Sequence, residues 1–94
     1  MEKSKQKYIA FVKIGSKGSG KLYEEIMKWK PNPLGGVKLL EASQTFGKWD
    51  FVVLFEADTN ENALHFVGDI VKPIEGVIGT RTIPIAPLRS WGQT

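Results

Sequence analysis

Five large apolar residues stand in an unbroken row at Phe51-Val52-Val53-Leu54-Phe55, between Asp50 and Glu56. β-Branched and aromatic side chains in such a row favour a strand. Successive side chains of a strand point to opposite faces. Phe51, Val53 and Phe55 therefore point one way, and Val52 and Leu54 the other. A strand that is apolar on both sides belongs inside a sheet whose two faces are both covered. With 94 residues the chain has room for one domain and a thin core. Two sheet faces must be covered with little material.

The rest of the chain supplies three more strands and two helices. Tyr8-Ile-Ala-Phe-Val-Lys-Ile14 reads as the first strand, stopped by Gly15. Ile9 and Phe11 oppose Tyr8, Ala10, Val12 and Ile14, so this strand too is apolar on both sides. A loop, Gly15-Ser-Lys-Gly-Ser-Gly20, leads into residues 21–30, where Leu22, Ile26 and Trp29 recur at helical spacing until Pro31 and Pro33 intervene. Leu34-Gly35-Gly36 makes a turn into a more polar second strand, 37–46, and Gly47-Lys48-Trp49 turns into the third, 50–57. Asp58 and Thr59 offer capping oxygens to a second helix that runs to about Lys72, with Ala63, Phe66, Val67, Ile70 and Val71 on its apolar side. Pro73 ends it, and residues 77–86 read as the last strand.

The order β-α-β-β-α-β specifies an α+β, ferredoxin-like domain with a four-stranded antiparallel sheet. Strands one and three are central there, and strands two and four are edges. Lys38, Glu41, Ser43 and Gln44 suit an edge, as does Pro84, which lacks the N–H that a central strand requires. Two helices cover one face of such a sheet. The other apolar face calls for a second copy of the chain, packed by a two-fold axis into a dimeric α/β barrel, or for the chain's own C-terminal residues. The expected organisation is a flexible basic tail over 1–7, a ferredoxin-like domain over 8–86 and a C-terminal tail over 87–94.

Composition excludes several chemistries. The chain has no cysteine, which removes disulfides, thiolate metal sites and cysteine nucleophiles. Its one histidine, His65, cannot build a multi-histidine metal site. Eight lysines face three glutamates in residues 1–30, a basic excess open to weak, salt-sensitive contact with anions. No apolar run approaches the ~20 residues of a membrane span, and no cleavable leader is visible, so a cytoplasmic chain with no membrane contact is expected.

Other motifs suggest chemistry without completing it. The Gly15–Lys21 loop approaches the phosphate-binding pattern, but Leu22 stands where a magnesium-holding hydroxyl belongs. Residues 47–52 partly match an RNA-recognition strand through Trp49 and Phe51, with Asp50 out of place beside phosphates. His65 is a candidate haem ligand or general base. Glu56 and Asp58 point the same way near the end of strand three, and nothing completes an acid–base site around them. No catalytic residue, metal or cofactor is assigned.

The segment Thr45-Phe46-Gly47-Lys48-Trp49-Asp50-Phe51-Val52-Val53-Leu54 resembles the effector-binding domain of the Lrp/AsnC transcription regulators, whose hallmark is a Gly-x-aromatic-Asp hairpin before an apolar strand. Gly36-Val37 before strand two and Pro73-Ile74-Glu75-Gly76-Val77-Ile78-Gly79-Thr80-Arg81-Thr82 are also similar to that family. The resemblance implies a dimeric barrel that assembles further and binds an amino acid or similar metabolite near the hairpin, at contacts between dimers. It places Thr45, Gly47, Lys48, Trp49 and Asp50, with Thr80 and Thr82, at the ligand site. With seven residues before strand one, no helix-turn-helix is expected. The expectation is a stand-alone sensing module without specific DNA binding of its own, serving as a homodimer or larger and as a partner of full-length regulators. A small monooxygenase or isomerase on the same barrel is the alternative.

Overall fold

The structure is a computed structural model that describes residues 5–89 and 91. The chain runs β1 (Gln6–Ile14), α1 (Gly20–Lys28), β2 (Val37–Gln44), β3 (Phe51–Ala57), α2 (Asn60–His65) and β4 (Val77–Ile85); α2 continues into a π-helical stretch, Phe66–Val71. The four strands form one antiparallel sheet in the order β2-β3-β1-β4. This is the ferredoxin-like arrangement, with the two most apolar strands in the middle. Pro84 lies on the edge strand β4, where its missing N–H costs no internal hydrogen bond.

Both helices lie on one side of the sheet. Tyr8 pairs with Phe55, Ala10 with Val53 and Val12 with Phe51, and all six are buried. Leu22 from α1 and Ala63, Phe66, Val67 and Val71 from the second helical segment complete this core. Phe55 is its hub, with its ring stacked on Tyr8 at 5.4 Å and tilted against Phe66 at 4.9 Å. Trp29 meets Phe66 edge-on at 5.6 Å.

Element ends differ from the expected bounds for local reasons. β1 starts at Gln6, inside the expected tail, because the Gln6 side chain donates to the carbonyl of Ile85 across the sheet. The expected tail residues 1–4, and 90 and 92–94 at the other end, lie outside the described residues. α1 stops at Lys28, since Trp29 already has an extended backbone ahead of Lys30-Pro31. Thr59, not Asp58, caps α2: its Oγ1 accepts the Asn62 N–H at 3.0 Å, while Asp58 faces Lys5 at 3.8 Å.

The expected helix over 60–72 is split between two helical geometries. Beyond His65 the turns widen, and the Lys72 N–H reaches back five residues to the Val67 carbonyl. Phe66 and Val71, five apart, are both fully buried. No helix among the described residues is long and apolar enough to cross a membrane.

Candidate functional site: the β2–β3 hairpin and the open sheet face

Across the sheet from the helices, Ile9 pairs with Leu54 and Ile83, and Phe11 with Val52 and Arg81. The four apolar central residues and Ile83 are half-buried, and no element among the described residues covers them. A shallow hollow of about 190 Å3 runs over Ile9, Phe11, Val52 and Leu54 toward Glu41 and Ser43. The described part of the C-terminal segment does not close it, because Leu88 is fully exposed and Trp91 is 71% exposed.

The β2–β3 hairpin stands at one end of this face. Thr45 N–H donates to the Asp50 carbonyl at 3.0 Å, and Thr45 Oγ1 donates to the Trp49 carbonyl at 2.7 Å. Between them Gly47 has φ +112°, a backbone state that a Cβ would strain, although the space beside it is open. The Trp49 ring leans on Phe11 at 5.8 Å, which places the hairpin's aromatic residue on the open face. Lys48 is exposed, with its ammonium 6.0 Å from the Trp49 ring centre. Phe46, at the hairpin tip, is fully exposed.

Asp50 couples the hairpin to β1. Its Oδ2 accepts the Ile14 N–H at 2.8 Å and lies 3.8 Å from the Lys13 ammonium, while its own N–H donates to the Val12 carbonyl at 2.9 Å. Among the described residues no hydrogen bond reaches its Oδ1. One oxygen of Asp50 thus holds the backbone and the other is open to a donor. Lys13, Ile14 and Phe11 belong to this arrangement although sequence reasoning did not single them out. The β1–β3 register makes them neighbours, and that register is a long-range property that no local motif encodes.

Thr80 and Thr82 lie elsewhere. They pair with Val12 and Ala10, so they face the helices, on the far edge strand. With Leu64, Val67, Gly68 and Lys72 they line a separate cavity of about 300 Å3. One chain brings Thr45, Gly47, Lys48, Trp49 and Asp50 together and leaves Thr80 and Thr82 apart from them.

The remaining candidate motifs find structural roles. Phe51 is buried toward the helices, so it cannot stack a base beside Trp49 on the open face. The sheet is antiparallel, whereas the phosphate-binding loop serves a parallel one, and Lys17 in that loop pairs with Glu75 at 3.4 Å. His65 is more than half exposed, with Nδ1 2.9 Å from Asp69 Oδ2. Glu56 lies on the open face between Lys7 and Lys38 on the flanking strands.

No protein-family model matches the chain, and no curated protein sequence does. Solved structures do. MtbAldR superposes with a TM-score of 0.74 over 95% of this chain, at 15% identity. A transcriptional regulator of Neisseria meningitidis, NMB0573, crystallised with L-Met, gives 0.73 over 92% at 15% identity. AsnC of E. coli gives 0.68 over 95% at 12% identity. The chain shares its fold with AsnC. At these identities the likeness establishes the fold, and the chain spans 58%, 53% and 56% of the three structures, little more than half of each.

Proposed function

We propose that this chain is a small-molecule-sensing, oligomerising domain related to the Lrp/AsnC regulators. The observation that carries the reading is the backbone shared over more than nine-tenths of the chain with AsnC and with a regulator crystallised with L-Met. The ligand class is an amino acid or similar zwitterion. Lys48 supplies a cation for its carboxylate, the free Oδ1 of Asp50 accepts from its ammonium, and Trp49 forms an apolar wall.

The assembly is a homodimer or larger, built by pairing the open faces around Phe11, Val52 and Leu54. Burying such a patch against a second copy removes apolar area from water at roughly 25 cal/mol per Å2. A ligand that also touches Thr80 and Thr82 needs them from a different copy, because the chain's own lie on the other side of its sheet. Ligand binding and assembly are then linked, and each strengthens the other.

Both described helices pack on the sheet through Leu22 and Ala63, which leaves neither free to enter a DNA groove; in this reading a partner such as a full-length regulator reads the DNA sequence. Contact of the N-terminal lysines with DNA is weak and steeply salt-dependent.

Calorimetry with a panel of amino acids tests the reading. At least one binds at millimolar concentration or tighter, and Asp50→Asn weakens it by about 1.5–3 kcal/mol, the scale of a charged hydrogen bond, while the melting temperature barely moves. If none binds the wild type, sensing is refuted. If Asp50→Asn leaves binding unchanged, the hairpin is the wrong site.

A further inference from the structure

The hairpin end of the open face carries more positive charge than a neutral amino acid needs. Lys13 follows Phe11 on the same side of β1, about 7 Å farther along the strand. Its ammonium lies 3.8 Å from Asp50 Oδ2, and its side chain is 41% exposed. Its partner on β4 is Gly79, so no side chain from that position covers Lys13. Arg81, which pairs with Phe11 on β4, is exposed on the same face. Lys48 adds a third cation beside Trp49. Among the described residues neither Lys48 nor Arg81 forms an ion pair. Glu41, the next carboxylate on this face, stands one row away beside Leu54, where Ser43 Oγ donates to it at 3.1 Å. Lys13, Lys48 and Arg81 therefore surround a single carboxylate, Asp50.

That carboxylate is already half used. Oδ2 accepts the Ile14 N–H and faces Lys13, which leaves Oδ1 open. An amino-acid ammonium seated on Oδ1 brings a second cation to the group that Lys13 already faces. If the ligand's only carboxylate sits on Lys48, two ammonium groups share Asp50 and repel each other at a few ångströms. A second carboxylate on the ligand removes the conflict, because it can accept from Lys13. In aspartate and glutamate that group lies one or two methylenes from the carbon bearing the ammonium. It can therefore meet Lys13 while the ammonium stays on Asp50.

We propose that the hairpin site takes an acidic amino acid, L-aspartate or L-glutamate. The ammonium sits on Asp50 Oδ1, the α-carboxylate on Lys48 and the side-chain carboxylate on Lys13. This rests on the sensing role proposed above and narrows its ligand from any zwitterion to one with a net negative charge. Phe11 and Trp49 keep water from one side of the site, which strengthens the ion pairs there. Arg81 adds attraction at longer range, which salt weakens. The amides L-asparagine and L-glutamine have nearly the same size and shape without the second charge, so they isolate the contact with Lys13.

Calorimetry at constant ionic strength, with each acid and its amide titrated into the unmodified chain, tests the assignment. At least one acid should bind about threefold or more tightly than its amide, the scale of a half-exposed charge-assisted contact. Lys13→Met keeps most of the side-chain length and removes the charge, and circular dichroism checks that it folds. In that variant the ratio of acid to amide affinity should fall below about threefold while the amide still binds. A ratio below threefold for both pairs in the unmodified chain overturns the acidic ligand, needs no variant, and leaves sensing at the hairpin intact. A ratio that survives in Lys13→Met overturns the assignment of the second carboxylate to Lys13. If no amino acid binds the unmodified chain, the sensing role itself fails and the acidic ligand falls with it.

Discussion

The two faces of the sheet are built from the same strands, and alternate residues of β1 and β3 are apolar on each. Their environments differ. On the helix side Ala10, Val12, Val53 and Phe55 are at most 1% exposed, and the aromatic rings of Tyr8, Phe55, Phe66 and Trp29 touch in sequence. On the other side Ile9, Phe11, Val52 and Leu54 are only half-buried, and the one aromatic contact among the described residues is Phe11 with Trp49 from the hairpin. Matched apolar content with unmatched cover teaches that the helix-side face was made to fold the chain. The open face has no cover among the described residues, and a second copy of the chain is the cover proposed for it.

That contrast can be broken most severely in the core. Phe55→Ala removes the ring at its hub and should cost about 3–5 kcal/mol, a large share of the 5–15 kcal/mol typical of a whole domain. Chemical denaturation followed by circular dichroism measures the loss. Next in size is a paired substitution one residue apart. Val53→Asp buries a charge under the helices and should abolish the folded signal. Val52→Asp places the same charge on the open face and should keep the far-ultraviolet spectrum while dissociating the assembly. If the two variants behave alike, the faces are not functionally distinct.

Smaller effects sharpen the comparison at the face's end and in the helix layer. Asp50→Ala takes the acceptor from the Ile14 N–H and should cost about 1–3 kcal/mol of stability, whereas Asp50→Asn can keep an acceptor there and should cost less. Thr59→Ala removes the α2 cap and should cost about 1 kcal/mol without touching assembly. Thermal melts with light scattering separate the two quantities.

The fold was legible because its signals are local. The unbroken run at 51–55, the Leu22–Ile26–Trp29 spacing and the stops at Pro31 and Pro73 each specify an element over a few residues. The central and edge positions of the strands followed from Pro84 and the polar residues of β2. What could not be read depends on register and on competition between neighbours. Thr59 and Asp58 are equivalent as caps on paper. Asp58 lost because Gly36 and Lys5 draw it toward the β2 end of the sheet, where its N–H donates to the Gly36 carbonyl. The π-helical stretch was invisible because Phe66, Val67, Ile70 and Val71 fit a helix of either pitch.

The candidate site was legible in part. The hairpin residues are contiguous, so the turn shows in the sequence. That Asp50 holds Ile14, that Trp49 meets Phe11, and that Thr80 and Thr82 face the helices all depend on which residues oppose each other across strands far apart in the chain. The bulge between Leu39 and Glu41, which leaves Leu40 without a partner in β3, likewise has no signature in its polar–apolar pattern.

Multi-angle light scattering of the unmodified chain, across a concentration series through the micromolar range, tests most directly whether a second copy covers the open face. The expected result is a mass of at least twice 10.5 kDa that falls to the monomer in Val52→Asp. A monodisperse monomer throughout the series would contradict it, and with it the assembly on which ligand sensing between copies depends.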